Sequence, residues 1–186
     1  AGVAEHHHPA MNLVVVEALL EVRHPESAGG VQVGLERAAA LGARTYELSD
    51  FLVTVAKLQK LDGLPGNFTG TVTYHDSCSG LRELNVKAQP RALLAKLPGV
   101  TLPEMTGAEE CCGFGGTFAV KFGEISARIA EKKCDNIRAS GADAVVLGDL
   151  GCMLNIEGRL RRRGDETTRV LHVAEVLAGK PSSKEL

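Results

Sequence analysis

The apolar positions of the chain fall into short β-rich runs separated by longer helical ones. "TVTYH" at 71–75 is β-rich and predicts a strand. "DAVVLGD" at 143–149 is a continuous apolar run and predicts a buried strand. "GVTLPEM" at 99–105 predicts a short strand, and "TRVLHVAEVLAG" at 168–179 predicts a last strand followed by a helix that stops at Gly179. Between them, "PRALLAKL" at 90–97 carries Pro in a first helical turn. Phe118, Phe122, Ile125 and Ile129 recur at three- and four-residue steps and predict one long helix from Phe118 to Ser140, ended by Gly141. "CMLNIEGRLRRRG" at 152–164 reads as another helix. Upstream, "VQVGLERAAALGA" predicts a helix ending near Gly42, and "SDFLVTVAKLQKL" a helix capped by Ser49 or Asp50. "HPESAGG" at 24–30 and "DGLPGNFTG" at 62–70 are rich in breakers and read as loops.

Strands alternating with helices define an α/β class, with a mostly parallel sheet flanked by helices. The strand pattern is confined to residues 46–186. Residues 1–45 form an N-terminal tail and a helical appendage. "AGVAEHHHPA" at the start has the composition of a disordered tail or expression remnant, and "KPSSKEL" at the end that of a frayed one.

Bulk composition narrows the function classes. The 186 residues are 44% hydrophobic and 24% charged, as in a soluble globular domain with a core of its own. A net charge of −2, 4% aromatics and no Trp leave no basic footprint or stacking platform for nucleic acid. The longest apolar stretch, Leu13 to Leu20, is broken at Glu17, so no transmembrane segment is expected. No secretory leader pattern is present, and a cytoplasmic setting follows, in which the five cysteines are thiols, ligands or catalysts rather than disulfides.

Four of those cysteines follow predicted strands: Cys78 after the first, Cys111 and Cys112 in "ECCGFGGT" after the second, and Cys152 after the third. In a parallel sheet the carboxyl ends of the strands share one edge, where ligands bind. That topology gathers cysteines lying far apart in sequence. A bridge between Cys111 and Cys112 is disfavoured, because adjacent Cα atoms stand ~3.8 Å apart and disulfides prefer ~4.4–6.8 Å. Four thiolates suit zinc, but zinc motifs use C-x₂₋₄-C pairs, whereas adjacent thiolates suit a polynuclear iron–sulfur site. Gly113, Gly115 and Gly116 allow main-chain N–H groups to approach an anionic cluster. Gly113-x-Gly115 also opens a dinucleotide fingerprint, but Phe118 stands where its third small residue is required, and there is no P-loop. Cys134, at helical steps from Ala127, Ala130 and Ile137, reads as core filler. His75 could join a zinc site, but reads first as a strand residue with a local partner.

"HDSC" (75–78), "ECCGFGGTFAVK" (110–121), "GDLGCM" (148–153) and "HVAEVLAG" (172–179) resemble the cysteine-rich CCG-domain family. The likeness covers about Arg44 to Gly179. It implies an iron–sulfur electron-transfer component of a complex oxidising L-lactate or glycolate, an oxidoreductase subunit rather than a complete enzyme. It implies Cys78, Cys111, Cys112 and Cys152 as ligands of a cluster of the 4Fe-4S kind, and a second module whose first is reduced to a remnant. It also implies partner subunits, among them a ferredoxin-type iron–sulfur protein, since no C-x₂-C-x₂-C-x₃-C-P run occurs here. One departure stands out: the fuller family pattern ends C-x-x-C, and position 155 is Asn155. Two alternatives remain at this point, a zinc-binding or metal-free docking module and a thiol–disulfide exchange catalyst using Cys111 or Cys112.

Four further features have an ordinary reading beside a functional one. Asp76 and Asp149 cap a helix or turn, or else orient a ligand loop. Arg82 is a solvated helix residue, or else offsets cluster charge. The arginines of "RLRRRGDE" (159–166) form a solvated helix end, or else dock an acidic partner.

Overall fold

The computed structural model describes residues 28–58 and 68–179. The histidine tract, the start of the 24–30 loop, most of the 62–70 linker and the polar tail lie outside them. The chain divides into a unit ending at Glu47 and a unit starting at Leu48. The first contains helix α1, Ala28–Gly42, which ends at the predicted glycine.

The second unit is built on four parallel strands: β1 Gly70–Tyr74, β2 Val100–Thr101, β3 Ala144–Leu147 and β4 Arg169–His172. Their order in the sheet is β2-β1-β3-β4. Val72 pairs with Ala144, Tyr74 with Val146, and Leu147 with His172. β3 is central, and all four of its residues are fully buried, as its unbroken apolar run requires. β2 is much shorter than the 99–105 expected, because Pro103 has no N–H with which to extend an edge ladder.

Side chains alternate across the sheet. Val72, Tyr74, Ala144, Val146 and Leu171 join one core cluster with Leu93, Leu94, Val176 and Leu177. These last come from helices α2, Ala88–Leu94, and α6, Val173–Leu177. Val145, Leu147 and Val170 join the opposite cluster with Cys134, Ile137, Cys152, Ile156 and Leu160. By the same alternation Thr73 and His75 face this second, cysteine-containing side.

Two expectations about helices are corrected. Residues 118–140 are not one helix but two, α3 Thr117–Lys121 and α4 Gly123–Ala139, separated at Phe122 with φ −124° and ψ 49°. Gly123, a poor helix former, follows the break. The buried stripe of α4 is Ser126, Ala130, Lys133, Cys134 and Ile137, whereas Phe122 and Ile125 are exposed. The apolar stripe read from the sequence is therefore not the core-facing one. The helix expected from Ser49 is a single turn, Leu48–Asp50, continued by a π-helical turn, Phe51–Val55. α5 spans Leu150–Arg162. No described helix is long and apolar enough to cross a membrane.

The arginine run at the end of α5 is largely engaged within the chain. Arg159 pairs with Glu131 at 3.3 Å, Arg163 with Asp135 at 2.5 Å, and Arg161 with Glu157 at 3.3 Å and with the Thr168 carbonyl. These contacts tie α5 to α4 and to the entry of β4.

Candidate metal centre

In this strand order the chain leaves β1 for β2 on one side and later returns as β3 on the other. The topological switch point therefore lies between β1 and β3, where ligand-binding crevices form in open parallel sheets. The segments leaving those two strands are His75-Asp76-Ser77-Cys78 and Gly148-Asp149-Leu150-Gly151-Cys152. His75 still belongs to the ladder through its N–H, which donates to the Val146 carbonyl at 2.9 Å. Asp76 N–H then donates to Ala108 O at 3.1 Å, which brings the loop before Cys111 against the same edge.

Asp149 caps α5, accepting from Cys152 N–H at 2.8 Å and from Ser79 Oγ at 3.3 Å. The cap sets Cys152 in the first turn, so this aspartate both caps a helix and fixes a thiol. Asp76 has a different role. Its carboxylate is fully buried and takes a bidentate pair of 2.8 Å bonds from Arg91, which also binds Glu104. Burial opposes the charge on Arg91, but the two carboxylates hold it protonated more firmly than usual, and Glu104 is correspondingly lowered by Arg91. This pair pins α2 to the end of β1. Arg82 is exposed.

The glycine loop is shaped by close packing. Gly113 has φ +90°, and a Cβ there would stand 2.6 Å from the Ser126 carbonyl. The loop is fastened by Ser126 Oγ, which donates to Gly113 O at 2.7 Å. Gly113 N–H in turn donates to Cys111 Sγ at 3.3 Å. Gly115 and Gly116 carry the chain through φ +53° and +58° into α3. Phe114 lies over Gly151, whose added Cβ would be 2.3 Å from the ring. The glycines thus let the loop close onto α4 and α5 together.

The donor atoms of His75, Cys112 and Cys152 all lie within 4.8 Å of one another, and all three residues are buried. Cys78 and Cys111 are exposed and stand outside this group. All five cysteines are free thiols. The ionisations of the paired Cys112 and Cys152 thiols are linked, each shifting the other. The hydrogen bond from Cys152, aided by His75 and the Phe114 N–H and opposed by burial, pushes Cys112 down to about 5, while Cys152 is held far above the usual thiol range. One thiolate of the pair is therefore present at neutral pH, in the form that binds metals. Cys134 is fully buried in the core, and burial pushes its thiol up to about 11.

Two residues were misjudged or missed in the sequence. Neither ring nitrogen of His75 forms a hydrogen bond, and the imidazole stands beside the Cys112 thiol instead. Among the described residues, the buried side-chain N and O atoms without one are Thr73 Oγ1 and both ring nitrogens of His75. Lys133 is 1% exposed, donates to Gly107 O at 2.5 Å and Ala108 O at 3.3 Å, and is lowered by burial. It holds the turn that precedes Cys111 and sets a cation beside the thiols. A lysine inside an amphipathic helix gives no sequence signal that it faces the core. Asn155 donates from Nδ2 to the Cys112 carbonyl at 2.9 Å.

Paired buried thiols, an imidazole with no hydrogen bond and main-chain donors at a switch-point edge make a donor set that fits a metal group. The fold and site thus define a parallel α/β domain of the metal-binding, cysteine-rich kind. Residues 72–157 match the family described as a cysteine-rich domain, CCG. Lactate utilization protein A of Lysinibacillus sphaericus is 39% identical over 154 residues, covering 83% of this chain and 66% of its own. Lactate utilization protein A of Bacillus cytotoxicus is 43% identical over 141 residues, covering 76% and 57%. Lactate utilization protein A 2 of Bacillus cereus is 44% identical over 143 residues, covering 77% and 57%. The chain belongs to the cysteine-rich CCG-domain family. It spans about six tenths of the length of the curated relatives it matches.

Proposed function

We propose that this chain is the cluster-carrying module of an iron–sulfur protein in lactate utilization, with Cys78, Cys111, Cys112 and Cys152 as cluster ligands. The observation that carries this reading is the convergence of the buried thiol pair, Cys112 and Cys152, on the switch-point edge, in a chain about 40% identical to lactate utilization proteins A. An iron–sulfur cluster bound there supplies one-electron transfer. The protein's own part is to hold the thiols, exclude water and set the charge around them. Asp149 orients Cys152, Gly113 N–H donates to Cys111 sulfur, and Lys133 offsets thiolate charge. Oxidation of the 2-hydroxy acid, L-lactate or glycolate, belongs to other subunits, and a ferredoxin-type partner supplies further clusters. On this reading the module is the second of two, and it works in the cytoplasm.

The test is anaerobic purification of the chain with iron, acid-labile sulfide and zinc analysis and a visible spectrum. Iron and sulfide in comparable amounts with a brown chromophore are expected. A colourless protein carrying stoichiometric zinc, prepared without oxygen, overturns the reading.

A further inference from the structure

We infer that His75 is itself a ligand of the metal centre, a nitrogen donor beside the thiols of Cys112 and Cys152. This rests on the reading that the site holds a metal, but not on which metal. Three observations converge on it. His75 is 1% exposed and neither ring nitrogen has a hydrogen-bond partner. A buried polar group left in that state is costly, and an apolar residue at the same place in the sheet would not be. Its donor atom lies within 4.8 Å of the sulfurs of both Cys112 and Cys152. Metal–sulfur and metal–nitrogen bonds to an ion such as zinc are about 2.3 and 2.0–2.1 Å, so only small side-chain rotations separate this group from ligation. Finally, the side chain of Asn155 is occupied in holding the Cys112 carbonyl, so position 155 positions a ligand instead of being one.

The backbone explains why His75 is aimed there. Its N–H is fixed on Val146 O, and strand alternation turns its side chain to the face that carries Cys112 and Cys152. The chemical consequence is a mixed imidazole–thiolate donor set. Exchanging one thiolate for a neutral imidazole removes a negative charge from the centre and raises its reduction potential, as histidine ligation does in other iron–sulfur sites.

Two measurements test this. First, the full chain is labelled with ¹⁵N-histidine, reconstituted anaerobically with iron and sulfide, reduced, and studied by electron–nuclear double resonance. A strongly coupled histidine nitrogen is expected. Its loss in His75→Cys is expected to leave a cluster whose midpoint potential falls by at least the equivalent of a tenfold change in the one-electron equilibrium, about 59 mV. Only weak nitrogen coupling, or strong coupling that persists in His75→Cys, overturns the inference. The labelled wild-type spectrum decides the matter even if the variant does not fold.

Second, Co²⁺ alone is titrated into the metal-free full chain with His6, His7 and His8 replaced by Ala. This asks about ligation without iron, so it still answers if no iron–sulfur cluster forms. In that background, His75→Ala is expected to weaken Co²⁺ binding at least tenfold. A smaller loss overturns the inference.

Discussion

The Asn155 amide donates to the carbonyl of Cys112 at 2.9 Å across 43 residues of sequence. It joins the third residue after Cys152, within α5, to the second cysteine of the adjacent pair, so one side chain ties the two thiol-bearing segments together. Asn155→Ala leaves that carbonyl without its donor. A loss of about 1 kcal/mol is expected, seen as a fall in Tm of about 2–4 °C for a chain of this size. Circular dichroism melts of the metal-free protein are the check, and an unchanged Tm removes the bond from the account.

Gly151 has no room for a side chain beside Phe114. An added Cβ would stand 2.3 and 2.5 Å from carbons of the Phe114 ring. Gly151→Ala is expected to destabilise the chain by about 1–3 kcal/mol through overpacking. Combining it with Phe114→Ala removes the clash, so the double variant loses less than the sum of the two single losses. Urea midpoints of the four proteins measure the coupling.

Cys134 separates structural from metal-binding thiols. It is buried, and burial holds its thiol near 11, so it stays protonated while the Cys112–Cys152 pair carries a thiolate. Cys134→Ala is expected to retain the metal of the wild type with a stability loss of about 1–2 kcal/mol from the deleted sulfur. Cys112→Ser and Cys152→Ser are expected to lose metal. Metal analysis of anaerobic preparations decides, and loss of metal in Cys134→Ala contradicts this assignment.

Acid sensitivity is expected to come in part from Asp165. This buried carboxylate accepts from Thr168 N–H at 2.9 Å, Thr168 Oγ1 at 2.8 Å and the N–H and hydroxyl of Thr167 at 3.1 Å, and it is pushed down to about 2, chiefly by Thr168. A carboxylate lowered on folding stabilises the protein above its unfolded pKa of about 4, and that contribution is lost as pH falls from there toward 2. Asp165→Asn is expected to cost about 2 kcal/mol at pH 7 and to flatten the loss of stability between pH 4 and 2. Parallel pH profiles against wild type in that window show a minor role instead.

Much of the site was legible because strands and thiols leave local marks. "DAVVLGD" reads as a buried strand, and cysteines after strands are expected at one sheet edge, where Cys112 and Cys152 meet. What stayed hidden depends on partners remote in sequence. The partner of Asp76 is Arg91, brought to it by the return of α2 over β1. Lys133 looks solvent-facing until the turn at Gly107 and Ala108 is seen to need its protons. The break at Phe122 was obscured by apolar spacing, since Phe122 and Ile125 are exposed and Ser126 takes the buried position. His75 carried the weakest signal of all: in a strand, one more residue or one fewer sends a side chain to the opposite core.

The order of strands also dictates a timetable. His75 and Cys152 lie 77 positions apart, and the edge they share exists only when β3 has inserted beside β1. At about 5–20 residues per second, a ribosome needs roughly 4–15 s to travel that distance. During that interval Cys78, Cys111 and Cys112 are made in turn, before the scaffold that gathers them exists. On the proposed ligand set, metal loading follows the closing of that edge, and thiols made earlier wait for it.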